Sequence, residues 1–349
     1  MESYIFADDL AARAVADALS ERAAAGLDVR LMVDGWGSLG TPAALFNRMQ
    51  AAGVAIHFFH SPSQVPWGAA FFEVMNQRNH RKLLVVDDRI AYFGGMNVVD
   101  QGGGFPRTEP RPWRLSASAG WRDVHVRMVG ARQAEIAATC QRLWNRVHHW
   151  PNEPEPEWPD RFFWRSPSES IFFFDSRPKF RNRRPQRILT PLIRQARREI
   201  TLSFAYFIPS GRMLRALFKA RKRGVRVRVI VPGQSDVKIV QWASRHFYAY
   251  LLKRGIRIHE RKDRMLHGKV MVIDKQWSVI GSCNLDARSL RWNLEFFAVL
   301  HSPPLALALD KICQEDIRGS ERITIANYRR RWWWQRWLDR AAWALRKWL

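Results

Sequence analysis

Short β-branched runs alternate with helical periods along the chain. Residues 3–6 read as the end of a strand, and residues 8–25 carry an alanine-rich 3.6-residue period that Gly26 can stop. Residues 29–33 return to strand pattern, Thr41 and Pro42 open a second helix, and residues 54–59 form a third strand. A loop over 60–78 has an apolar middle, 67–72, suited either to a wall for acyl chains or to pinning the loop. Strand patterns follow at 80–87 and 90–93, then a Gly/Pro-rich loop over 101–120, a strand over 123–129 and a helix over 131–144. Helices alternating with short strands predict an α/β layer architecture.

Prolines at 151, 154, 156, 159 and 167 break any regular element, so residues 151–170 are expected to connect two domains. Beyond them the first pattern returns. Helix 189–198, strand 199–206, helix 211–223, strand 225–231, helix 239–254 and strand 256–259 lead into residues 267–284, then a strand over 295–300 and a helix over 305–315. The expected division is therefore 1–150, 151–170, 171–322 and a tail over 323–349. The repeat is in register: His80, Lys82, Asp87, Gly94 and Asn97 have the same spacing as His267, Lys269, Asp274, Gly281 and Asn284. Packing alone rarely preserves five polar or turn positions at identical offsets, so the duplication points to a shared site. A duplicated domain packs naturally about a pseudo-twofold axis, which would bring the two histidines and two lysines together.

Charge sharpens the picture. With 57 Lys plus Arg against 32 Asp plus Glu, the formal charge is +25, which suits a polyanionic partner: nucleic acid or an anionic membrane. Seventeen tryptophans tilt that choice toward lipid, because Trp favours sites half apolar and half wet. The three cysteines, Cys140, Cys283 and Cys313, show no metal-ligand spacing and predict reduced thiols. There is no signal-peptide pattern, and no window approaches the roughly 18 apolar residues of a membrane span, so any membrane contact is expected from one side. In the tail, Trp334, Trp337, Leu338, Ala341, Leu345 and Trp348 recur at helical spacing, with arginines largely elsewhere on the wheel. That is the pattern of an interfacial membrane helix.

The duplicated residues suggest a reaction at phosphorus. One histidine can attack as neutral imidazole while the other protonates the leaving oxygen. Lys82, Lys269, Asn97 and Asn284 can donate to the non-bridging oxygens, so neither a metal nor another cofactor is called for. The paired H-x-K-x-x-x-x-D motifs, each followed by a Gly/Ser-rich turn ending in Asn, resemble the phospholipase D superfamily over nearly the whole chain. Residues 80–82 with 94–97, 266–269 with 281–286, Arg288, Ser289 and residues 293–295 resemble the shorter bacterial cardiolipin synthases that lack N-terminal membrane spans.

The resemblance implies two similar α/β/α sandwich domains with the active site between them, and a phosphatidyl group carried on a histidine. Phosphatidylglycerol would be the donor and a hydroxyl of a second phospholipid the acceptor. His80 maps to the nucleophile and His267 to the acid and base. The implied catalytic set also takes in Lys82, Lys269, Asp87 and Asp274, the aspartates holding strand and turn. Asp123 and Glu295 are candidates to orient the histidine rings. The expected setting is peripheral, on the cytoplasmic face of a bacterial inner membrane. The alternative is a phosphodiesterase hydrolysing phospholipid or nucleic acid, and the Trp-rich tail counts against nucleic acid. The first half has only residues 1–6 where the second has 171–205, which predicts either a sheet lacking an edge element or translation starting upstream of Met1.

Overall fold

The computed structural model describes residues 1–62, 74–100, 120–130, 132–146, 169–176 and 184–346. The apolar segment 67–72, the Gly/Pro-rich segment 101–119 and most of the connecting segment, 151–168, lie outside the described residues.

The first half runs β1 (Glu2–Ser3), α1 (Leu10–Ala24), β2 (Arg30–Asp34), α2 (Ala43–Ala51), β3 (Ala55–Phe59), β4 (Leu83–Val86), β5 (Ile90–Gly94), β6 (His125–Val129) and α3 (Gln133–Arg146). The second begins with β7 (Ser170–Ser176), α4 (Arg184–Gln195), β8 (Glu199–Phe204), α5 (Gly211–Lys222), β9 (Arg226–Pro232), α6 (Lys238–His246) and α7 (Tyr248–Leu252). It continues through β10 (Arg257–Arg261), β11 (Lys269–Ile273), β12 (Trp277–Gly281), α8 (Ala287–Arg291), β13 (Glu295–His301), α9 (Pro303–Arg318), β14 (Ser320–Ile323), α10 (Ile325–Arg329) and α11 (Trp333–Ala344).

The two sheets have one plan. The first is ordered β3-β2-β1-β4-β5-β6, and the second contains β10-β9-β8-β11-β12-β13 flanked by β14 and β7. In each, three parallel strands with helical crossovers join an antiparallel meander. β11 and β12 are buried along their whole length and so read as continuous apolar runs rather than alternating ones.

Several boundaries differ from the sequence reading. The connecting segment gives way to strand at Ser170, because Phe172, Phe173 and Phe174 pair along β13 as an added edge. The single helix expected over 239–254 divides at Phe247, whose ring packs edge-on against Trp343 at 4.4 Å. The histidines of both motifs stand just ahead of their strands rather than within them.

The halves meet through an apolar layer. Phe93 of β5 packs edge-on against Phe173 and Phe296, at centroid separations of 6.0 and 5.6 Å, within a cluster that also holds Leu83, Val270, Ile280 and Leu309. Burying one such side chain contributes about 1.5–3 kcal/mol, so this layer holds the halves in a fixed relation.

Candidate active site

Two reciprocal backbone clamps place the histidines. His80 N–H donates to Leu294 O at 3.0 Å and Leu294 N–H to Arg78 O at 2.8 Å; His267 N–H donates to Arg122 O and Arg122 N–H to Met265 O, both at 2.8 Å. Leu294 and Arg122 immediately precede Glu295 and Asp123. Each histidine is thereby set against the carboxylate of the other half: His80 Nδ1 lies 3.1 Å from both Glu295 oxygens, and His267 Nδ1 lies 2.5 Å from Asp123 Oδ2.

Glycines make this approach possible. A Cβ at Gly94 or Gly281 would collide with backbone of the neighbouring strand, at Val124 O and Phe296 O respectively. One position on, the halves diverge. Ser282 Oγ donates to Glu295 Oε2, whereas a Cβ at the equivalent Gly95 would strike Asp123 Oδ1. A longer carboxylate beside serine and a shorter one beside glycine occupy corresponding space.

Both lysines are buried. Lys82 Nζ donates to His80 O at 2.7 Å and lies 5.1 Å from the Tyr4 ring centre. Lys269 Nζ lies 2.9 Å from His267 Nδ1 and 3.1 Å from Nε2, and donates to His267 O at 2.5 Å. Burial lowers both ammonium pKa values; for Lys82 the neighbouring Lys269 pushes the same way and the shift is large. His80 falls well below the ordinary histidine range through burial and the charges of Lys82, Lys269 and His267. Such a concentration of buried positive groups favours an anion.

The two pairs differ electrostatically. Burial pushes Glu295 up to about 7, against the pull of Lys82, so its proton is readily shared beside a strongly neutral His80. Burial also works to raise Asp123, but Lys269 and His267 outweigh it and hold that carboxyl below its ordinary range. The ionised Asp123 in turn raises His267, partly offsetting the lowering by burial and Lys269. One imidazole is therefore kept neutral while the other sits on a fixed anion.

The remaining candidates divide. Asn284 is buried with Oδ1 lacking a partner among the described residues, while Asn97 Oδ1 accepts from Ile5 N–H at 3.3 Å. The motif aspartates stand apart. Asp87 and Asp274 occupy the turns after β4 and β11, at φ of 52° and 54°, roughly 20 Å along extended chain from their histidines. From there neither touches a reacting atom, and both positions suit the holding of strand and turn. Asp274 accepts from the N–H groups of Arg197, Arg198 and Glu199 at 2.8, 2.7 and 2.8 Å, locking the turn to the start of β8. Asp87 is exposed and accepts no such bonds among the described residues.

The sequence reading missed several supports. Tyr4 packs edge-on against His80, with centroids 4.9 Å apart. Trp121 flanks His267 at 4.5 Å. Asp34 accepts from Asn79 N–H at 2.8 Å, and Glu2 grips Arg81 with two bonds of 2.8 and 2.7 Å. None lies in the repeated motif. The one advance signal was proximity of Asn79 and Arg81 to His80 in the chain.

Two like sheets, each presenting a histidine and lysine to one interface, define a phospholipase D-like enzyme. A family model described as cardiolipin synthase, PLD-like domain, matches residues 1–103 and 189–317. Cardiolipin synthase A of Proteus mirabilis (strain HI4320) is 32% identical over 349 residues, covering 97% of this chain and 68% of the relative. Cardiolipin synthase B of Escherichia coli (strain K12) is 32% identical over 313 residues, covering 86% and 70%. The crystal structure of phosphatidylserine synthase from Haemophilus influenzae Rd KW20 shares the fold, with a TM-score of 0.71 at 13% identity over 100% of this chain and 89% of that one. The chain belongs to the cardiolipin synthase family with phospholipase D-like domains.

Proposed function

We propose that this phosphatidyltransferase moves a phosphatidyl group from phosphatidylglycerol to a hydroxyl of a second phospholipid, by way of phosphohistidine. The observation that carries the assignment is the unequal pairing of two histidines with carboxylates from opposite halves. His80, kept neutral, attacks phosphorus as the P–O bond to glycerol breaks, and His267 gives its proton to the departing oxygen. Lys82, Lys269, Asn97 and Asn284 donate to the non-bridging oxygens as charge grows. In the second step the acceptor hydroxyl loses its proton to His267, the O–P bond forms and the N–P bond to His80 breaks. Glu295 and Asp123 orient the rings, as ring-bound carboxylates do in other nucleophilic sites.

The test is to trap the intermediate. Incubated with phosphatidylglycerol labelled in phosphorus, His267→Ala should accumulate label on His80 without turnover, while His80→Ala should stay unlabelled. Label held only in His80→Ala would reverse the roles, and no label with no glycerol released by the wild type would overturn the proposal.

The proposed setting is the cytoplasmic surface of a bacterial inner membrane. Among the described residues no helix is long and apolar enough to cross a bilayer. The tail differs from the free amphipathic helix expected. α11 docks on α6 through Asp339, Ala342 and Trp343, with Trp343 stacked on His246 at 5.2 Å and Arg331 bonded to buried Asp339 at 2.5 Å. The apolar face is accordingly rotated. Leu338 and Ala341 are half-buried against the fold, and Trp333, Trp334, Trp337 and Leu345 face outward with Arg336 and Arg340. Tryptophan and arginine on one exposed face suit the headgroup layer of an anionic leaflet.

A further inference from the structure

Beyond the reacting phosphorus, a second cationic group adjoins the site. Arg78 comes from the first half and Arg288 from α8 of the second, and residues 293 and 294 tie them together. Leu294 N–H donates to Arg78 O at 2.8 Å, and Asn293 N–H to Arg288 O at 2.9 Å. The Arg78 guanidinium is braced, lying 4.9 Å from the Trp36 ring centre and donating to Val74 O at 3.2 Å and Gln77 O at 2.8 Å. Arg288 Nε is buried without a hydrogen-bond partner, and among the described residues neither guanidinium has a carboxylate within ion-pair distance. Tyr4 stands between this pair and His80: both arginines act on its hydroxyl, and its ring packs on the imidazole at 4.9 Å.

Two like charges that act on each other, one of them with a buried donor unpaired, are costly unless an anion joins them. A guanidinium fork matches a phosphodiester well. Acidic groups also act on Tyr4: Asp34, which acts on Arg78 as well, and Asp236, which accepts from Tyr206 Oη at 2.8 Å; against the one carboxylate that acts on Arg78 stand two guanidiniums.

We propose that Arg78 and Arg288 form a subsite for the phosphodiester of the acceptor phospholipid. The inference rests on the phosphatidyl-transfer reading. An acceptor phosphatidylglycerol carries its own phosphate three carbons from the attacking hydroxyl, a span comparable to the phenol ring separating the arginines from His80. Seating that phosphate aims the hydroxyl at the phosphohistidine, which water and small alcohols do without.

The experiment compares acceptors in full-length protein on phosphatidylglycerol vesicles. Glycerol release reports the first step; cardiolipin, phosphatidic acid and, with added ethanol, phosphatidylethanol report the second. In Arg288→Gln, cardiolipin formation should fall about tenfold more than glycerol release, with product diverted to phosphatidic acid and phosphatidylethanol. Arg288→Lys, which keeps the charge and loses the fork, should lie between. Equal falls in every product would overturn the subsite while leaving the transfer reading intact. So would inhibition of the wild type by inorganic phosphate with no change of product ratio in Arg288→Gln, which would mark a site for free phosphate. A wild type that releases no glycerol overturns the transfer reading and this subsite together.

Discussion

His80 and His267 hold equivalent places in two copies of one motif, yet the pKa values of their carboxyl partners are shifted in opposite directions. Glu295 is raised from its ordinary 4.5 to about 7, so the folded protein holds its proton where the unfolded chain has lost it. The stability tied to that proton is present below pH 4.5 and is lost as pH rises through about 7. Glu295→Gln removes the titration. Between pH 5.5 and 8 the stability difference between variant and wild type should therefore move in the variant's favour by about 2 kcal/mol, read from urea midpoints at the two pH values. A difference constant with pH would show that Glu295 is ionised throughout. Activity should fall in the variant, since its amide keeps one acceptor for His80 Nδ1 but no carboxyl that can take up or share a proton there. Asp123→Asn should lower turnover on the order of a hundredfold at pH 7, because the amide no longer offsets the lowering of His267 by burial and Lys269 and so leaves less of it protonated to act as acid. Turnover within twofold of wild type would remove Asp123 from the mechanism.

At the scale of elements, the meanders β4-β5-β6 and β11-β12-β13 repeat with the same five offsets, but their turns are not equally built. Asp274 accepts three backbone N–H groups, whereas Asp87 is exposed and has no hydrogen-bond partner among the described residues. Asparagine keeps the left-handed turn conformation at both positions but replaces one acceptor oxygen by a donor. Asp274→Asn should cost about 2–3 kcal/mol in thermal or urea unfolding, and Asp87→Asn within about 0.5 kcal/mol. Equal costs would mean the two aspartates support their halves alike. This contrast marks what the chain made legible. Offsets from His80 to Asn97 and from His267 to Asn284 are local, so spacing exposed the duplication and the α/β plan. Asp123 and Glu295 stand out in the chain as candidates to orient the rings, but which serves which histidine, across 215 and 144 residues, depends on clamps at Leu294 and Arg122 that no local pattern encodes. Tyr4 and Arg78 escaped notice for the same reason, while β7 was hidden by a proline-rich approach.

For the whole molecule, the question is how a protein without a described membrane-spanning helix reaches a substrate held in a bilayer. A charge of +25 favours an anionic surface, and α11 is the proposed place of contact. The tail carries seven basic residues, but Arg331 is neutralised by Asp339 and Arg346 lies over the Trp343 ring at 3.8 Å. Arg336 and Arg340 remain exposed beside Trp333, Trp334 and Trp337, on the face turned away from α6. α6 follows the loop bearing Asp236, whose carboxylate acts on both His267 and Lys269, so the docked tail is joined to the site through one short helix. Docking thus fixes which face of α11 is turned outward relative to the catalytic groups, which a loosely tethered helix would not do. Each basic residue near an anionic surface contributes about 1 kcal/mol. Arg336→Gln combined with Arg340→Gln should therefore weaken partition onto phosphatidylglycerol-containing vesicles by about 2 kcal/mol, or about thirtyfold, in a sedimentation assay at fixed salt. Because neither side chain is buried, the unfolding midpoint should stay within the error of the wild type. Unchanged partition with an unchanged midpoint would show that another surface of the protein carries it to the membrane.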